Sequence, residues 1–239
     1  MRALQSVDLA ARHRLLLSTT LTGTLVATTN VVALEWYPAS TVLALMYTMP
    51  AFTSLLEVRQ AGRLSLRALY PPAAALMGVI MFASSGTQVL GPAACVVLLN
   101  ALLWAIGTRL ADASAGRLSP PHIVTVQMTI AFLSAIPMGV ICAIRGEVVI
   151  PSAIDLTGIG WAGLLNGGLV FWLWYIAIAR LGASRTAWFT LLVPLLGSAI
   201  AVAVLGEILD ARQKWGLVLI STSVLLHLLN RREKQTIGS

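Results

Sequence analysis

The chain has 239 residues, 58% of them hydrophobic and 10% charged, with a mean hydropathy of +0.86. Soluble domains average about 45–50% apolar and about 25% charged residues, so a soluble enzyme, a disordered chain and a disulfide scaffold are excluded, and lipid is required to solvate the apolar excess. The net charge of +7 falls in short clusters between apolar stretches; such clusters orient membrane helices, whereas a phosphate backbone needs one contiguous basic face, so no nucleic-acid partner is expected.

Residues 1–14 form a basic segment carrying Arg2, Arg12 and Arg14, read as a cytoplasmic N-terminus. The apolar run after it is rich in threonine and lacks a cleavage-like ending, which reads as a first span rather than a removed signal peptide. A bilayer core of about 30 Å needs about 20 apolar residues per helix. Eight runs meet that need: 15–34, 40–57, 68–86, 92–109, 122–144, 157–179, 186–206 and 215–230. They are continuously apolar, without the alternation of barrel strands, so an all-α membrane protein of about eight helices is predicted. Turn chemistry separates them at Tyr37-Pro38, Pro71-Pro72, Gly91-Pro92, Pro120-Pro121 and Leu181-Gly182. Residues 231–239 form a basic tail. Cys95 and Cys142 lie inside apolar runs and read as buried small hydrophobes, with no metal-ligand spacing around them.

With an even number of spans, both termini lie on one side. Placing them in the cytoplasm puts 13 of the 16 Lys and Arg residues on that side and leaves only Arg145, Arg212 and Lys214 outside, a strong positive-inside bias. The expected location is the inner cell membrane.

The chain also repeats itself. Offset by 144 residues, positions 23–62 match 167–206 without a gap, with 10 of 40 identical: Gly23/Gly167, Leu25/Leu169, Val26/Val170, Ala33/Ala177, Ala39/Ala183, Ser40/Ser184, Pro50/Pro194, Ser54/Ser198, Val58/Val202 and Gly62/Gly206. An odd number of spans separates the copies, so the second is inverted in the membrane, a pattern of transporters whose halves exchange roles as a site opens to either side. The charges agree: Gly62-Arg63 closes one copy inside, and Gly206-Glu207 closes the other outside. Glu207 reads as a helix-end or loop anchor.

The ordered features from Trp161 to Leu226 are an aromatic-rich helix, "ARLGAS", a mid-helix Pro, "LGE", a short polar loop and a last Gly-containing helix. Together they resemble the EamA-type repeat of the drug/metabolite transporter superfamily. The segments "WYPASTVLALMYTMPAFTSLLEVRQAGRLSLRAL" and "LLNALLWAIGTRLA" look like parts of the same plan. The resemblance implies two inverted five-helix repeats that move small metabolites. On that plan 15–87 is a first repeat truncated to three helices, lacking the first two, and 88–230 is a complete second repeat. The implied function is a transmembrane exporter of small organic metabolites, such as amino acids, by alternating access. The alternative is a non-transporting remnant or scaffold that needs a partner, such as a second copy, to complete the cavity.

Polar groups inside spans mark candidate cavity residues. These are Asn30 and Tyr47 in the first two spans, Asn100 and Trp104 on one stripe with Thr108, and Asn166, Trp172 and Tyr175. Asn30 and Asn100 either face a cavity or act as hydrogen-bonding glue between helices. Trp36, Tyr37, Trp188 and Trp215 are expected in the interfacial belts. Pro50 and Pro194 are expected to kink their helices, and Gly163 and Gly167 to pack closely against a neighbouring helix. Glu57 is the candidate proton carrier, or else a solvated interfacial acid beside Arg59. His13, His122 and His227 fall at span edges, and HExxH, GxSxG and paired in-membrane aspartates do not occur. No enzyme activity and no cofactor are expected; the bilayer and a small-molecule substrate are the implied partners.

The topology yields a direct test. With Cys95 and Cys142 replaced by alanine, Gln60→Cys should react with an impermeant thiol reagent only from the cytoplasmic side, and Arg212→Cys only from the outside. Labelling of both from one side would remove the inverted arrangement.

Overall fold

The computed structural model describes residues 8–37, 39–60, 62, 66–84, 91–113, 118–148, 150–206 and 208–236. Pro38, Arg2, Arg63, Arg117, the repeat boundary near 87 and Glu207 lie outside them, as do the side chains of Arg67, Arg231, Arg232 and Lys234.

The described elements are helices: α1 Leu9–Thr20, a π segment Leu21–Leu25, α2 Val26–Ala33, α3 Ala39–Met46, α4 Met49–Gln60, α5 Leu66–Ala83, α6 Ala94–Asp112, α7 Pro120–Ile144, α8 Ala153–Trp161, a second π segment Ala162–Val170, α9 Phe171–Leu181, α10 Ala183–Phe189, α11 Leu192–Leu205 and α12 Ala211–Thr236. Six stretches among the described residues are long and apolar enough to cross a membrane: 9–33, 41–60, 94–112, 120–144, 153–181 and 183–204. Helices α5 and α12 occupy the predicted third and eighth spans. The protein is a multi-pass helical membrane protein.

Local chemistry sets the starts. Pro120 follows Ser119, the N-cap of α7; a proline at the first helical position lacks an N–H that would be unpaired there anyway. Ser152 and Asp155 form a reciprocal capping box at α8, with Asp155 N–H to Ser152 Oγ at 3.2 Å and Ser152 N–H to Asp155 Oδ2 at 2.9 Å. Asp210 and Gln213 make the same exchange before α12, at 2.9 and 2.7 Å.

The predicted kinks are sharper than expected. The second and seventh spans are each broken into two helices, α3/α4 and α10/α11, just ahead of Pro50 and Pro194. Proline has no N–H for the carbonyl four residues back and clashes with it, so the helix stops and restarts. Tight i→i−3 bonds fill both breaks: Thr48 N–H to Leu45 at 3.1 Å, Thr190 N–H to Ala187 at 3.0 Å and Leu191 N–H to Trp188 at 3.2 Å.

The chain divides into two compact units. One comprises residues 1–27 and 107–183, the other 28–106 and 184–239. In the first, α7 packs against α1, both π segments and α9. Its core holds Leu15, Ala111, Ile123, Val124, Tyr175 and Ile178. In the second, α12 lies along α5, and α5 also packs on α3 and α4. Ala51, Ala75, Val79, Trp188, Leu191 and Ile220 form its core, with Tyr47, Leu76 and Leu195 against it.

The 144-residue offset recurs in this geometry. The π segment at 21–25 maps onto 165–169, inside the second π segment. The helix breaks fall within one residue of equivalence. Gly62 and Gly206 both take the left-handed conformation after their helices, with φ of 62° and 67°. The pairs Tyr47/Leu191, Ala51/Leu195 and Leu76/Ile220 share one core.

Several sequence expectations need correction. Trp188 and Tyr37 are not interfacial: Trp188 is 3% exposed in the core, because its indole N–H has a buried acceptor, and Tyr37 is 6% exposed, its hydroxyl accepting the Gly91 N–H at 2.8 Å. Trp36 and Trp215 are exposed. Cys95 is exposed and Cys142 half-exposed on helix surfaces, not buried. Gly163 has open space about it, while Gly167 abuts the Met128 sulfur. Close helix packing lies instead at Gly78 and Gly216, where a Cβ on either would come within 2.8 Å of the other's carbonyl oxygen.

Gly78→Ala or Gly216→Ala must therefore force α5 and α12 apart. Each should cost about 1–3 kcal/mol and lower Tm in detergent. Gly139→Ala and Gly163→Ala, with nothing near the added methyl, should leave Tm unchanged or raise it slightly.

Candidate functional site

In the unit built on 28–106 and 184–239, the first and fourth predicted spans meet through two amides. Asn100 Nδ2 donates to Asn30 Oδ1 at 2.8 Å; Asn100 is fully buried and Asn30 half-buried. Trp104 lies one turn along α6 from Asn100 and is half-buried. An Asn alone in hydrocarbon would leave donors and acceptors unmet, so cross-helix pairing is the inexpensive arrangement. Tyr47 stands at the break between α3 and α4, half-buried against the core that contains Trp188. Pro50 and Pro194 are buried, and Glu57, one turn beyond Ser54 on α4, is half-buried.

The other unit holds Asn166, Trp172 and Tyr175, which separate from one another. Tyr175 is buried and its hydroxyl donates to Gln127 Oε1. Asn166, in the second π segment, and Trp172 on α9 are exposed. Both π segments register on adjacent residues of α7. A Cβ on Gly23 would meet the Gln127 side chain at 2.8 Å, and one on Gly167 would meet the Met128 sulfur at 3.3 Å. Close to the first π segment, Ser18 Oγ donates to the Gly107 carbonyl at 2.7 Å, and Thr22 fills the space above Gly107. Asn166 is the 144-offset counterpart of Thr22, which is buried; the copies differ in cover at this point.

Three side-chain contacts escaped the sequence reading. Gln127 is fully buried inside a span, a signal that intramembrane polarity alone could have supplied. The bond from Trp188 Nε1 to Ser54 Oγ, at 2.6 Å, joins the two broken spans. His227 stacks on Trp188 with ring centroids 4.2 Å apart and planes 19° apart. Nothing in the spacing of 54, 188 and 227 brings them together without the repeat. Among the described residues, no group of three or more His, Cys, Asp or Glu stands together as a metal site.

Tyr175→Phe strips the only bond found on the Gln127 amide among the described residues, since Gln127 Nε2 is buried without a partner. The loss should be about 1–2 kcal/mol, read as lowered Tm. Tyr175→Phe with Gln127→Met should recover most of it, because a buried pair removed as a pair leaves no polar group stranded.

The family model described as the EamA-like transporter family matches residues 91–229, more than half of the chain. No curated protein matches the chain. Eleven chains among solved structures do. One of them, described only as "Crystal structure of protein", is 17% identical over 97% of this chain and 91% of its own, with a TM-score of 0.62, a likeness of fold alone. The match over 91–229 takes in the buried Asn100, the second π segment, the broken span at Pro194 and most of α12, and it places this chain in the EamA-like transporter family of the drug/metabolite transporter superfamily.

Proposed function

We propose that the protein exports small organic metabolites, amino acids among them, across the inner cell membrane by alternating access, with both termini in the cytoplasm. The observation that carries this reading is the pairing of irregular backbone at the 144-residue offset: two π segments and two proline-broken spans. Discontinuous helices in corresponding positions of two halves are where transporters place their solute and where they bend. The residues proposed to meet the solute are Asn30, Tyr47, Asn100 and Trp104, together with Asn166, Trp172 and Tyr175. Amides and aromatic rings without a fixed charge suit a neutral or zwitterionic solute, held by hydrogen bonds and ring contact. The repeats are proposed as 15–87 and 88–230, and Pro50 and Pro194 as the bending points.

A second reading has one observation in its favour. Residues 153–164 are exposed on nearly every side, whereas their counterparts in α1 have a buried face. A scaffold or a transporter completed by a second copy would cover that stretch.

Counterflow in proteoliposomes separates the two. Vesicles preloaded with unlabelled amino acids should accumulate the matching labelled one. Asn100→Leu should lower the rate roughly tenfold, the worth of one buried hydrogen bond of about 1.4 kcal/mol. No counterflow for any amino acid or neutral metabolite would remove the export reading.

A further inference from the structure

Within one unit, a single side chain ties both broken spans. Trp188 sits in the last turn of α10, just ahead of the break before α11, and its Nε1 donates to Ser54 of α4 at 2.6 Å. On the Trp188 ring lies His227 of α12, near-parallel and 4.2 Å away, with its Nε2 buried. Three elements, two of them halves of broken spans, thus converge on one indole. His227 falls at the edge of its predicted span, near the basic tail, yet its Nε2 is buried within the protein. Histidine is the side chain that changes charge near neutral pH. An imidazolium within about 6 Å of an indole centroid gains an attraction to the ring face that neutral imidazole lacks.

We propose that His227 is a proton-binding site whose charge state sets how firmly Trp188 holds the two broken spans together. The step is a simple protonation: a ring nitrogen of His227 takes a proton from water through its lone pair and later returns it, and no covalent bond of the chain breaks. With the proton bound, the stack is strengthened and Trp188 stays on Ser54. With the proton gone, the stack loses that attraction while the Ser54 bond remains, and the halves beside Pro50 and Pro194 separate more readily. The charged and titratable residues on the elements around His227 are Glu57 and Arg59 of α4, Tyr47 at the α3/α4 break, Arg67 and Tyr70 of α5 and Arg185 of α10. Helix α11 carries none, and α12 itself carries Arg212, Lys214, Arg231, Arg232, Glu233 and Lys234. Glu57 and Glu233 are the acids on these elements. Use of the latch to drive solute rests on the export reading above; proton binding by His227 does not.

The experiment follows the indole N–H of Trp188 in protein labelled with nitrogen-15 tryptophan in nanodiscs, the resonance assigned by its loss in Trp188→Phe. In wild type it should move with a single titration between about pH 5 and pH 8. In His227→Gln it should be flat, and in Ser54→Ala it should be displaced but still titrate. A flat resonance in wild type, which needs no variant to fold, overturns the proposal. So does a titration that survives His227→Gln, and one that also disappears in Glu57→Gln would assign the proton to Glu57 instead. Counterflow of labelled amino acids across the same pH range should lose its pH dependence in His227→Gln. If no solute moves at all, the export reading fails while the titration still decides the site.

Discussion

Hydrocarbon offers no hydrogen bonds, so every backbone N–H and C=O inside a span must find its partner within the protein. That constraint turns each apolar run of this chain into a helix. It also makes every departure from a regular helix costly enough to be informative. The described spans depart from regularity at two π segments and two proline breaks. Threonines ease the breaks: Thr48 Oγ1 donates to the Leu45 carbonyl at 2.8 Å and Thr190 Oγ1 to the Ala187 carbonyl at 2.7 Å. Carbonyls released by the interrupted ladder are thereby kept out of contact with lipid.

The same constraint governs side chains. Three polar contacts cross between helices deep in the two units: Asn100 to Asn30, Tyr175 to Gln127 and Trp188 to Ser54. Each joins an irregular span to a neighbour. Asn30 follows the first π segment, Gln127 packs on Gly23 within it, and Ser54 and Trp188 flank the two breaks. Polar pairing is thus placed beside backbone irregularity, where fewer regular contacts hold the helix in place. Glycine acts in the opposite sense at Gly78 and Gly216, where two backbones come close enough that apolar packing suffices.

Most of the fold was legible because it depends on run length. About 20 apolar residues make a span whatever their order, and the eight predicted runs overlap described helices, with ends displaced by up to six residues. The repeat was legible because Pro, Gly and Ser at fixed offsets carry backbone consequences: Pro50/Pro194 end helices, Gly62/Gly206 take positive φ and Gly23/Gly167 lie in π segments. The severity of the breaks was not legible, since a proline inside an apolar run gives the same string for a kink as for a stop. Burial of aromatic residues was not legible either. Trp188 lies near a span end, where an interfacial role is the common outcome, but Ser54, 134 positions away, provides a buried acceptor. Cys95 was misjudged for a related reason: in a membrane protein, an apolar residue can face outward and still avoid water.

The two copies of the repeat do not have equal surroundings, and that inequality bears on what each can do. Around the first π segment, Gly23 is closed by Gln127, and Thr22 by Gly107. Any motion there must break packing and the bonds of Ser18 and Tyr175. In the second, Asn166 is exposed, and a Cβ on Gly168 would make an ordinary contact with the Gly163 carbonyl oxygen of the same segment, at 3.7 Å. An amide facing hydrocarbon is unfavourable, so Asn166 gains from any water, solute or helix that reaches it, whereas Thr22 has nothing to gain from a change. The first π segment is therefore suited to hold its span in register. The second is suited to respond to what arrives beside it. One sequence pattern, repeated, thus meets a closed surrounding in the first copy and an exposed Asn166 in the second, and the difference arises from the neighbours each copy is given.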